Sequence, residues 1–205
     1  MIRVDKQPEP LNFDRLVRRR GNAFLARTPR PNKGQWDRHS YWRDVSRDLH
    51  RYYKGVCAYS SHWISYDTGW RTVEHFLPKS AHPEMAYEWL NYRLVCGVLN
   101  RKKGIMAIAD PFEIENGWFT IDFPSLLVRP SQQLDDALHR EVLQTIDILG
   151  LNNEDTCMKT RSKYIEDYCK ERVDYSHLQN EAPFLANELH RQSLLQNIRE
   201  IMIYN

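Results

Sequence analysis

Apolar residues recur at helical spacing in several stretches of this chain and follow a different rhythm in its middle. Between Trp36 and Lys54 the apolar positions Trp42, Val45, Leu49, Tyr52 and Tyr53 share one face, while Arg38, Arg43, Arg47 and Arg51 fall on others. This pattern predicts a helix with Gly55 as its C-terminal cap. A shorter helix is expected from about Phe13 to Arg19, with Asn12 as N-cap and Gly21 as terminator. Thr28 to Gly34 reads as a loop from its Pro, Asn and Gly content. Toward the C-terminus, Leu134, Leu138, Val142, Ile146 and Leu149 line one helical face that Gly150 stops. Asn153 can cap the next helix, whose face is Met158, Tyr164, Ile165 and Tyr168. A last helix is predicted from Pro183 to Tyr204.

The middle is different. Cys57 to Tyr66 reads as a strand and turn, with Asp67-Thr68-Gly69 as turn chemistry. Trp70 to Phe76 alternates loosely and predicts a short strand, broken at Pro78. Val95 to Lys103 suits a short helix ended by Gly104. Asp110 to Val128 is rich in β-formers and predicts a hairpin turning at Asn116-Gly117. The fold class is therefore α+β and mostly helical. Its expected divisions are an N-terminal arm and helix over 1–56, a core with a following hairpin over 57–128, and a helical region over 129–205, packed as one unit.

Composition changes this picture little. With 205 residues the chain can bury a core, and a net charge of +2 does not by itself point to nucleic acid. The charge is uneven, however, because Arg15, Arg18, Arg19, Arg20, Arg27, Arg30 and Lys33 cluster with only Asp14 at the edge. Residues 1–20 lack the apolar region of a signal peptide, and no apolar run approaches the ~20 residues of a membrane span. Four cysteines make no disulfide framework in a chain of this length. A cytoplasmic protein with reduced thiols and no membrane partner is expected. The abundant Trp and Tyr either fill the core or stack on bases, and the sequence does not choose between these.

Candidate chemistry lies between Val73 and Gly104. His75 titrates near neutral pH and suits a general base. Glu74 beside it and Asn100 offer oxygen atoms to a hard cation. Two such ligands with waters suit Mg²⁺ or Mn²⁺ better than Zn²⁺. Asn91 can hold the loop that carries His75 through side-chain to backbone hydrogen bonds. Arg101, Lys102 and Lys103 follow at once, and Lys79 lies just beyond His75; these are the candidate phosphate contacts, with Arg18-Arg19-Arg20 a weaker one. Successive strand residues face opposite ways, so Glu74 and His75 serve one site only if the chain bends there. His62 and His82 are expected at the surface or hydrogen-bonded, and His39, His50, His139, His177 and His190 at the surface. Cys157 and Cys169 are expected to be buried rather than bonded.

The run Glu74-His75-Phe76-Leu77-Pro78, with Trp89-Leu90-Asn91 and Cys96-x-x-x-Asn100-x-x-Lys103-Gly104, resembles the HNH endonuclease motif. Cys57-Ala58-Tyr59-Ser60 and Lys6-x-Pro8 are similar to flanks seen in bacterial HNH proteins of retron and Septu anti-phage systems. The motif covers about residues 57–104. The resemblance implies a small ββα-metal core set in helices, His75 as general base, Glu74 and Asn100 as ligands to one divalent cation, and Asn91 as the residue orienting the His75 loop. It also implies a nucleic acid substrate, DNA or RNA, and an ABC-type ATPase partner. The pattern departs from the family where Ser60 and Leu99 replace two zinc-binding cysteines. Two thiolates, Cys57 and Cys96, do not close a structural zinc site, so no structural zinc is expected, and the two are expected to lie close together as small hydrophobes. A catalytically degenerate HNH-fold protein that binds nucleic acid or a partner is the alternative, and a helical interaction protein built on the C-terminal half is a third reading.

Overall fold

The computed structural model describes residues 1–202 and is α+β, with two small antiparallel sheets of two strands each among helices. The C-terminal end of the last predicted helix, at Tyr204, lies outside the described residues. The chain forms two compact units with interleaved segments. One comprises Asp5–Gly55 and Ile64–Ile105; the other comprises Met1–Val4, Val56–Trp63 and the described residues from Met106 onward. This differs from the three consecutive stretches expected, because the segment around Cys57 and the second sheet both belong with the C-terminal helices.

The first unit carries the candidate site. A π-helical turn, Asp14–Arg18, runs into helix α1, Arg19–Arg27. The helix therefore passes through Gly21 rather than ending there. A Cβ on Gly21 would stand 2.0 Å from the Tyr87 ring, so this glycine exists for close packing rather than for a stop. Helix α2, Lys33–Arg38, begins at a capping box in which Asn32 and Gln35 exchange side-chain to backbone bonds of 3.0 and 2.9 Å.

The single helix expected over 36–54 is broken. After α2 comes a 3₁₀ stretch, Tyr41–Val45, and then α3, Ser46–Tyr52. The break sits at His39, whose ring stacks on Phe24 with centroids 3.8 Å apart and whose carbonyl accepts the Tyr87 hydroxyl at 2.8 Å. That carbonyl would otherwise take the Arg43 amide, which bonds instead to Ser40 O at 3.0 Å. Tertiary contacts thus override the periodicity.

Strand β1, Arg71–His75, pairs antiparallel with β2, Tyr92–Cys96, in a register that sets Glu74 against Arg93 and His75 against Tyr92. Helix α4, Gly97–Lys103, follows β2 without a loop and packs on both strands. β2 replaces the start of the helix expected from Val95. Its residues Tyr92, Arg93, Leu94 and Val95 are all buried, so no alternation marks it as a strand. Gly104 ends α4 with φ +52°, as expected of a glycine terminator.

In the second unit β3, Phe119–Asp122, pairs with β4, Leu127–Pro130. The turn falls at residues 123–126, with Leu126 at φ +55°. Asn116-Gly117 lies before β3, correcting the predicted turn. Helix α5, Asp136–Leu149, is capped by Asp135, which accepts the Ala137 and Leu138 amides at 2.9 and 2.8 Å, and ends at left-handed Gly150. A π-helical turn, Glu154–Met158, leads into α6, Lys159–Cys169. Helix α7, Tyr175–Glu181, was not predicted; the predicted last helix, from Pro183, is divided into α8, Pro183–Arg191, and α9, Ile198–Ile201, with Ser193 at positive φ between them. No helix among the described residues is long and apolar enough to cross a membrane.

Candidate functional site

Glu74 and His75 end β1, both nearly fully buried at 4% and 6% exposure. Despite adjacent positions on a strand, both line one cavity of about 1080 Å³, together with Asn100 from α4 and Lys79 from the loop after β1. The chain turns away from strand geometry immediately after His75, where Phe76 N bonds Asn91 O at 2.9 Å.

The His75 ring is fixed on three sides. Its Nε2 lies 3.0 Å from Ala86 O. Trp42 and Tyr92 stand perpendicular to it at 4.7 and 5.2 Å. A carbonyl oxygen only accepts, so Nε2 carries the proton and Nδ1 keeps the lone pair. Burial, aided by the charge of Lys79, pushes the His75 pKa down to about 3. The imidazole is therefore neutral at neutral pH, with Nδ1 unprotonated, and the same burial that keeps it neutral makes it a weak base in this state.

Asn91 is buried at 2% exposure. Its Oδ1 accepts Leu77 N at 2.7 Å, and its Nδ2 donates to Leu77 O and Met85 O, each at 3.0 Å. One side chain thus ties both ends of the segment between His75 and β2. Asn100 donates through Nδ2 to Thr72 Oγ1 at 2.8 Å, and Thr72 Oγ1 donates to Val95 O at 2.7 Å. The amide orientation follows, and Asn100 Oδ1 has no partner among the described residues.

Lys103 departs from expectation. It was expected beside Arg101 and Lys102 on a phosphate-facing surface, but it is 1% exposed. Its Nζ donates to Phe76 O at 3.0 Å and lies 2.8 Å from Glu74 Oε1, an ion-pair contact off the axis of a well-aligned hydrogen bond. Asn100 and Lys103 are three residues apart and share the α4 face that meets β1, which is why this lysine alone of the three turns inward. Burial raises the Glu74 pKa above its ordinary value, opposed chiefly by Lys103.

The other expected phosphate contacts separate. Arg101 is exposed, lines the cavity, and sits 5.6 Å from the Trp70 ring centre. Lys79 is half-buried with Nζ 5.4 Å over Trp42, and burial lowers its pKa. Lys102 is half-buried and outside the cavity lining. Arg18 is engaged by Glu9 and Glu88, Arg19 by Asp14 and Arg20 by Asp44, so that run is spent on internal ion pairs. Sequence reasoning did not single out Trp42, Trp70, Thr72 or Arg71. Only the Arg face of the 36–54 segment carried a signal, since Arg43 and Arg47 also line the cavity.

His50, expected at the surface, is buried, and so is His62, expected at the surface or hydrogen-bonded. His50 places Nε2 3.4 Å from Ile64 O. His62, in the second unit, is pushed by burial and by Arg161 to a pKa of about 3. Cys57 in the second unit is buried, as is Leu99 on α4, while Cys96 at the end of β2 is half-buried. Cys157 is buried and Cys169 half-buried. Among the described residues no group of three or more His, Cys, Asp or Glu is arranged to hold a metal ion.

The donor set at the cavity is different in kind. Its expected donors are the Glu74 carboxylate, on which a single oxygen meets Lys103, and the Asn100 amide oxygen, which has no partner among the described residues. Hard oxygen donors of this number fit a cation that keeps most of its water, and do not fit zinc. No protein-family model matches the chain, and no curated protein matches it.

Proposed function

We propose that this protein is a metal-dependent endonuclease of the HNH type that hydrolyses phosphodiester bonds in nucleic acid. One observation carries the reading: Glu74, His75 and Asn100, the three residues whose chemistry suits the reaction, line the same cavity. The succession of β1, β2 and α4 supports it, because it is the ββα order the motif resemblance implies.

In this reading His75 Nδ1 takes a proton from the attacking water, while Ala86 O holds the opposite nitrogen protonated and the ring in place. Asn91 keeps the loop that positions the ring. Lys79 and Arg101 attract the phosphate. Glu74 and Asn100 would hold Mg²⁺ or Mn²⁺, which when bound supplies charge neutralisation at the phosphate and leaving oxygen. A role in anti-phage defence beside an ATPase, and a cytoplasmic setting, are proposed with it on the motif resemblance.

A second reading, a degenerate fold that only binds nucleic acid, is favoured by Lys103, which already compensates the Glu74 charge. Incubation with plasmid, single-stranded DNA and total tRNA, with Mg²⁺, with Mn²⁺ and with chelator, separates the two. The nuclease reading expects metal-dependent cutting that falls by about 10²–10⁴-fold in His75→Ala. Cutting that His75→Ala leaves unchanged refutes it.

A further inference from the structure

A second cavity, of about 450 Å³, adjoins the first in the same unit. It is lined by Arg47, His50, Arg51, Lys54, Tyr66 and Arg71, without an acid. Arg47 and Arg71 line both cavities. The first is itself lined by six Lys and Arg against Asp37 and Glu74. A chain with a net charge of only +2 therefore concentrates cations along one continuous track.

The track has a built order. Arg47 and Arg51 are four residues apart on α3 and share one face, Arg43 precedes them in the 3₁₀ stretch, and Lys54 follows α3 in a turn at φ +51°. Arg51 is paired with Asp48. Arg43, Arg47 and Arg71 have no acidic partner among the described residues. Cations without internal partners, beside a candidate phosphodiester site, are what a phosphate backbone needs.

Two large aromatic residues on the same track are largely exposed. Trp70 is 62% exposed and Tyr66 71% exposed. Trp70 is braced. A Cβ on Gly97 would stand 2.3 Å from its Cε3, so backbone lies directly against the ring, and Arg101 approaches it at 5.6 Å. Gly97 N also donates to Trp70 O at 2.7 Å. Tyr66 sits 5.0 Å from the His50 ring. Exposed aromatic residues cost hydrophobic free energy, and a duplex hides the base faces that would cover them. Unpaired bases offer those faces.

We propose that the two cavities form one path for a single-stranded nucleic acid, with Arg47 and Arg71 holding phosphates where the cavities meet and Trp70 and Tyr66 stacking unpaired bases. The path runs from the Glu74–His75–Asn100 cavity, past Trp70, to the Arg51–Lys54–Tyr66 end. It rests on the nuclease reading for the class of ligand, and names the form of substrate that the reading leaves open.

Fluorescence anisotropy tests it on the full chain, with chelator present so that binding is read without cutting. The probes are fluorescein-labelled oligothymidylate, oligouridylate and a mixed-sequence duplex of equal length. Single strands are expected to bind about tenfold tighter than duplex, and Trp70→Ala to weaken them about tenfold while barely moving the duplex. Trp70→Phe, which keeps a ring, restores binding to within about threefold. Arg47→Ala and Arg71→Ala each lower the slope of log affinity against log salt by about 0.7. Circular dichroism confirms that each variant folds. Equal affinity for duplex, or Trp70→Ala binding like the parent, overturns the path while leaving the nuclease reading standing. Ring-dependent single-strand binding in a protein that cuts no substrate with any metal supports the path and removes the nuclease reading.

Discussion

The two small sheets of this protein, each of two antiparallel strands, bury different kinds of side chain. In β3–β4, Phe119 and Ile121 are buried and Thr120 and Asp122 are not, the alternation of a strand that covers a core on one face. In β1–β2, Glu74, His75, Arg93 and the Lys103 that packs on them are nearly fully buried. Burying charge is expensive unless it is paired, and an apolar replacement would often be at least as stable. The second sheet is a structural hairpin. The first keeps polar groups in a position that stability alone does not reward, and the candidate chemistry lies there.

This contrast can be broken in order of effect. Lys103→Met leaves Glu74 buried without its cation and should cost about 3–5 kcal/mol. Most of the loss should return in the double variant with Glu74→Gln, because the pair is removed together. Urea unfolding of the four proteins of that cycle reads the coupling, and strictly additive losses would show that the contact is unimportant. Ile121→Ala in β3 should cost about 2–5 kcal/mol through a core cavity. Asn91→Ala removes three hydrogen bonds and should cost about 3 kcal/mol at roughly 1 kcal/mol each. It should also slow cleavage in the remaining folded protein, which Ile121→Ala should not.

A separate break is in acid stability. His62 and His75 both have folded pKa values near 3, lowered from 6.5. Between those values the unfolded chain binds more protons than the folded one, so stability falls as pH drops from about 6.5 toward 3. His62→Gln should flatten that fall, as measured by urea midpoints across the window. An identical slope in the variant would mean that His62 does not titrate as described.

Much of this architecture could be read from sequence where local signals are strong. Gly150 ends α5 as its capping chemistry predicts, and β1 falls within the predicted Trp70–Phe76 strand. The misses have tertiary causes. Tyr87 takes the His39 carbonyl and breaks a helix whose periodicity was sound. Burial of consecutive residues removes the alternation that would have marked β2. Gly21 resembles a helix stop until Tyr87 is seen against it. At the candidate site, residue types and spacing were enough to nominate Glu74, His75, Asn91 and Asn100. The inward turn of Lys103 was invisible, because three successive basic residues look alike until the helix face is known. Arg71 and Trp70 join the track only once β1 and α4 are placed.

The most direct test of the central claim sets one sheet against the other in a single assay. Single-turnover cleavage with Mn²⁺ is measured for the parent, His75→Ala and Ile121→Ala, each corrected for its folded fraction. The account predicts a fall of about 10²–10⁴-fold in His75→Ala and no change in Ile121→Ala. Equal rates in all three proteins, or a larger loss from the β3 variant, would contradict it.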